Sequence, residues 1–126
     1  MTCYRKPCIA VSLLLALAGC GGTDETIFCT LEARSSVVVQ VVDTAGAPLA
    51  GATVSYRVDS GPEQAAECYA PPDGCSTFIA GREVAGEFSI RAGKAGYQSA
   101  AASVSVQRDV CHVISREVVM TLVRGT

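Results

Sequence analysis

The chain has no tryptophan, no asparagine and a single histidine, His112. Aromatic residues make up 6% of its 126 residues and charged residues 17%, below the roughly 25% that is usual for charged side chains. Each shortage excludes something. Without asparagine there is no acceptor for N-linked glycans, and no Lys–Asn isopeptide cross-link can form. With so few aromatic rings, a platform for stacking sugars is thin. There is no basic run or patch, so nucleic-acid binding has no electrostatic footing. No G-x-S-x-G elbow is present, and the glycines fall at turns between β-branched runs rather than in a phosphate-cradling loop. A Ser-His-Asp triad can be assembled on paper from His112, Asp109 and one of many serines, but abundant serine makes such a match nearly free. His112 is expected to sit exposed at the start of a strand. Glu83 and Glu87, separated by Gly86, are expected as solvated charges at a strand edge rather than as an acid/base pair. No catalytic residue, cofactor or metal is expected.

The longest apolar run, Ile9 to Leu17, is about half of the roughly 20 residues that span a bilayer as a helix. Arg5 and Lys6 precede it and no acidic group does, which is the layout of an export signal. The run closes on Leu17-Ala18-Gly19-Cys20, which resembles the lipobox of bacterial lipoprotein signal peptides. The resemblance implies that residues 1–19 are removed and that Cys20 becomes the acylated first residue of the mature protein. An ordinary secretory signal cut just before a cysteine is the rival reading. Two or more acyl chains anchor a protein stably, where one holds it only marginally. Gly21 stands where an aspartate would favour inner-membrane retention, so the expected location is the cell envelope, lipid-anchored, at the outer rather than the inner membrane. Residues 20–28 read as a short tether, and residues 29–126 as one small domain.

Removing residues 1–19 from 126 would leave 107, enough for one core, with eight Lys and Arg against 12 Asp and Glu. The same cleavage sorts the seven cysteines. Cys3 and Cys8 leave, Cys20 is acylated, and Cys29, Cys68, Cys75 and Cys111 remain. Four cysteines in an exported domain imply disulfides, with three possible connectivities. Cys68–Cys75 with Cys29–Cys111 is the favoured pair. The first closes a tight loop over Pro71-Pro72-Asp73-Gly74, which is turn chemistry. The second ties the N-terminal arm to the segment before the last strand. A zinc site is the rival, but the four lack paired C-x2-C spacing and His112 is adjacent to Cys111.

Turn residues punctuate the rest into about seven strands. Ser36 to Asp43 is a β-branched run that reads as a strand buried largely on both faces. Ala52 to Asp59 alternates, with Val54, Tyr56 and Val58 on one face. Ser60 to Glu67 reads as a loop, with one helical turn possible from Glu63. Short strands are expected at Glu67–Ala70 and Ser76–Ala80, around the bridged turn. Further strands follow at Glu87–Ala92 and Ser99–Gln107, and a last, largely buried one at Arg116–Val123. The stretch Val39 to Val54, built around Asp43-Thr44-Ala45-Gly46-Ala47-Pro48-Leu49-Ala50-Gly51-Ala52, looks like the opening of carboxypeptidase regulatory-like domains. Gly86-Glu87-Phe88 and the later Gly96-Tyr97 fit the same pattern. That resemblance implies an all-β, seven-stranded Greek-key sandwich of the transthyretin (prealbumin) type with no catalytic centre of its own. The expected function is a non-catalytic, membrane-anchored lipoprotein displaying a disulfide-stapled β-sandwich, a binding or structural envelope module for a protein or envelope partner. A small envelope hydrolase, or an accessory domain of one, is the alternative. The bridged loop with Tyr69, Pro71, Pro72 and Asp73 is the candidate contact surface; a bridge that serves only to stabilise a long loop is the rival reading.

Overall fold

The computed structural model describes residues 26–69 and 74–125. Cys20, the signal-like segment, Pro71, Pro72 and Asp73 lie outside them. Among the described residues every regular element is a strand: β1 (Ser35–Val42), β2 (Thr53–Val58), β3 (Gln64–Ala65), β4 (Glu67–Cys68), β5 (Thr77–Arg82), β6 (Gly86–Gly93), β7 (Ala100–Val106) and β8 (Arg116–Thr121). They form two four-stranded sheets, ordered β4-β5-β1-β8 and β3-β2-β6-β7. The sheets pack their apolar faces together as a sandwich.

Period-two alternation fills the space between the sheets. Val37, Val39 and Val41 of β1 and Phe78 and Ala80 of β5 meet Val54 and Tyr56 of β2 and Phe88, Ile90 and Ala92 of β6. The Tyr56 and Phe88 rings stack with centroids 5.7 Å apart. Phe88 is wholly buried, and burying such a side chain is worth about 1.5–3 kcal/mol relative to leaving it exposed. Ser36 is the one fully buried polar side chain of this region. Its hydroxyl accepts from the Val84 amide at 3.0 Å, which removes the desolvation penalty it would otherwise carry.

The turn from β1 to β2 explains its own sequence. The Asp43 carboxylate accepts from the amides of Ala45 and Ala47, both at 2.9 Å, and Gly46 donates to the Asp43 carbonyl at 3.0 Å. Gly46 and Gly51 both have φ of 80°, where a side chain is strained. Leu49 then drops into the core. The return after β6 uses Gly96 in the same conformation, φ 84°, and Tyr97 packs half-buried against the core. The cations of Lys94 and Arg124 lie over its ring, 5.9 and 5.6 Å from the centroid.

Two expectations are corrected. The loop from Ser60 contains no helical turn: Gln64 and Ala65 pair with Tyr56 and Ser55 as a short edge strand, giving eight strands rather than seven. Its two residues are exposed and carry no alternating pattern of their own, so only the partner strand specifies it. The last strand is not largely buried. β8 is the edge of its sheet, paired only with β1 and parallel to it. Its apolar run therefore splits, with Met120 and Leu122 in the core and Val119 62% exposed.

Candidate functional site

Strand directions bring three distant segments to one end of the sandwich. β1 begins at Ser35, directly after the N-terminal arm. β5 is antiparallel to it with Arg82 opposite Ser35, so Glu83 emerges at that same end. β8 is parallel to β1 with Arg116 opposite Val37, so the loop 107–115 arrives there as well. The Cys29–Cys111 disulfide, with Cα atoms 5.2 Å apart, ties the arm to that loop.

Beside the bridge, His112 is buried rather than exposed, at 7%. Its Nδ1 lies 2.6 Å from Glu83 Oε1, and its Nε2 lies 2.9 Å from the Thr30 hydroxyl. Glu83 also accepts from the Arg34 amide at 2.8 Å and from the Val113 amide at 3.2 Å. Its own amide donates to the Arg34 carbonyl at 2.9 Å, and Arg108 Nη2 donates to its carbonyl at 2.5 Å. Glu83 holds φ of 53°, a conformation rare for a residue with a side chain and sustained here by bonds to three segments. The Arg34 amide is the largest cause of a carboxyl lowered from 4.5 to about 2; partial burial opposes it, and hydrogen bonds from His112 and Val113 reinforce it. The expected solvated Glu83 is thus corrected: it is the hub of the arm end. Glu87 instead donates its amide to Asp59 at 3.0 Å, with its side chain outward.

Asp109, the acid of the paper triad, does not face the imidazole. Its carboxylate accepts from the amides of Cys111 and His112, both at 2.8 Å, and these bonds hold its carboxyl below the ordinary range. The imidazole is thus oriented by Glu83 and closed on its other nitrogen by Thr30. Chemically this is a latch: it fastens arm, β5–β6 turn and β7–β8 loop together. Among the described residues every buried side-chain nitrogen and oxygen has a partner, and no group of three or more His, Cys, Asp or Glu is placed to hold a metal ion. Sequence reasoning missed Glu83 and Thr30. One signal was available: if Cys29 pairs with Cys111, the next residues in each segment, Thr30 and His112, must be neighbours.

The second disulfide, Cys68–Cys75, lies at the opposite end, with Cα atoms 5.6 Å apart. Cys68 is opposite Phe78, and Gln40 near the end of β1 is opposite Thr77. Seven steps of about 3.3 Å separate Ser35 from Val42, which sets the two ends of β1 roughly 23 Å apart. Tyr69 donates its amide to the Thr77 carbonyl at 2.9 Å and leaves its side chain 67% exposed. Gly74 lies beside Ala50 of the β1–β2 turn.

Two depressions are notable. One of about 400 Å³ lies at the arm end, against Ile27, Phe28, Val110 and the Cys29–Cys111 bridge. A smaller one of about 180 Å³ lies on the outer face of β2, β6 and β7, among serines and alanines with Arg57 and Arg91 beside them. No protein-family model matches the chain, and no curated protein matches it.

Proposed function

We propose that this chain is a non-catalytic bacterial lipoprotein, held in the envelope by acyl chains on Cys20, that displays a small transthyretin-like sandwich. Residues 1–19 are its signal peptide, 20–28 its tether and 29–126 a Greek-key domain of the carboxypeptidase regulatory-like kind, at the outer membrane. The observation that carries the reading is polarity. The arm leading back towards Cys20 and the Cys68–Cys75 loop lie at opposite ends of the sandwich, each beside its own disulfide. A protein anchored through its arm thereby holds Tyr69 and the bridged loop away from the membrane, facing a protein or envelope partner. The disulfides fit an exported, oxidising setting. The lipobox-like Leu17-Ala18-Gly19-Cys20 supplies the anchor, and the Asp43–Ala52 turn supports the domain type. A covalent bridge across a short loop limits the conformations it must give up on binding a partner.

An envelope hydrolase is the alternative, which the carboxylate-oriented His112 would serve. Fractionation and activity separate the two. The wild-type chain is expected in the membrane fraction, and Cys20→Ser in the soluble one. Tyr69→Ala is expected to lose partners captured from solubilised envelope. Turnover of an envelope substrate that His112→Ala abolishes would decide for the enzyme.

A further inference from the structure

The exposed apolar side chains are distributed unevenly. Among the described residues nine large hydrophobic side chains are exposed, and six of them belong to segments at the arm end: Ile27, Phe28, Leu31, Val84, Val110 and Ile114. Phe28 is 88% exposed, Leu31 104% and Val110 76%. Phe28 and Val110 each precede a cysteine of the Cys29–Cys111 bridge, so the covalent link fixes them side by side at the mouth of one depression. Scattered single hydrophobic residues are ordinary on a protein surface; a cluster at one pole marks a contact. The opposite pole has Tyr69 and Val123 alone of the nine.

We propose that this pole rests on phospholipid, with Phe28, Leu31, Ile27 and Val110 seated in the boundary between headgroups and acyl chains. The inference rests on the anchored reading above and adds the orientation of the domain. Chain length names the occupant. From Cys20 to Ile27 the backbone spans seven residues, at most about 25 Å when fully extended. Whatever path those residues take, the apolar pole stays within that reach of the acyl chains. Partly immersed aromatic and aliphatic side chains bind a bilayer surface in proportion to the apolar area buried. Seated this way, the sandwich stands on its arm end and holds the Cys68–Cys75 bridge towards the far end of β1, which lies roughly 23 Å from the end that meets the lipid.

The absence of tryptophan makes the test direct. Phe28→Trp and Tyr69→Trp each introduce a sole tryptophan at an exposed ring, where the fold has little stake. Each full-length variant is produced in cells, purified with its Cys20 modification and reconstituted into vesicles containing brominated phospholipid. Phe28→Trp is expected to lose most of its emission to bromine quenching, and Tyr69→Trp to keep it. Unquenched, solvent-like emission from Phe28→Trp on protein whose Cys20 is acylated would overturn the seated pole and leave the anchor standing. Blue-shifted but unquenched emission would put a second copy or another protein on the patch, and would overturn it equally. Protein that carries no acyl chain on Cys20 and stays off the vesicles would bring down the anchored reading, and this inference with it.

Discussion

Glu83 Oε1 lies 2.6 Å from His112 Nδ1 across 29 residues of sequence. Neither residue belongs to a strand; each follows or precedes one whose partner is β1. The pair joins two loops that the sheet order has brought together, and Thr30 and the Cys29–Cys111 bridge complete the closure.

The Glu83 carboxyl is depressed from 4.5 to about 2 on folding, so the sign of its pH effect follows. Its stabilising contribution is fully present above pH 4.5. It is lost progressively as pH falls from there towards 2. Urea midpoints measured at steps from pH 7 to pH 2.5 are expected to fall more steeply in the wild type than in Glu83→Gln. Subtracting the two removes Asp109, which is depressed in both. Parallel curves would show that the latch does not depend on the carboxylate.

The two bridges differ in the loop each closes, with sequence separations of 82 and 7. Loop-closure entropy predicts that paired Cys29→Ser and Cys111→Ser substitutions cost about 4.5 kcal/mol, and the Cys68–Cys75 pair about 2.5 kcal/mol. Denaturant unfolding of both double variants checks the order. A larger loss from the short bridge would contradict it.

Phe88 is wholly buried and stacked on Tyr56, whereas Val119 points out from an edge strand. Phe88→Ala is expected to destabilise by about 3–5 kcal/mol. Val119→Ala is expected to stay within about 0.5 kcal/mol of wild type. The contrast, read by the same unfolding experiment, tests which face of each sheet forms the core.

Gly81 has φ of 76°, and a methyl placed there would meet the Phe88 ring at 3.2 Å and the Ser36 hydroxyl at 3.4 Å. Gly81→Ala is therefore expected to cost about 1–3 kcal/mol from backbone strain and crowding. Gly46 shares the positive φ but has open space around it. Gly46→Ala is expected to cost less, about 1 kcal/mol. Thermal melts of the two variants separate the steric part from the conformational part.

Much of the fold was legible because β1, β2, β6 and β7 carry β-branched runs or clean alternation that a sheet requires. The cysteine pairing was legible because Pro71-Pro72-Asp73-Gly74 closes its own loop. β3 was not, since Gln64 and Ala65 are strand only through their pairing with β2. β8 misled because Val118-Val119-Met120 reads the same in a central strand as at an edge; only the sheet order tells them apart. The latch was hidden for a related reason. Glu83 looks like any surface acid until antiparallel β5 and parallel β8 bring it to His112.

Acylation of Cys20 is tested most directly by mass spectrometry of the protein purified from membranes. The prediction is an N-terminal peptide that begins at Cys20 and carries acyl chains, from a chain whose other four mature cysteines are paired as Cys29–Cys111 and Cys68–Cys75. A chain that begins at Met1, or a Cys20 that carries no lipid, would contradict it.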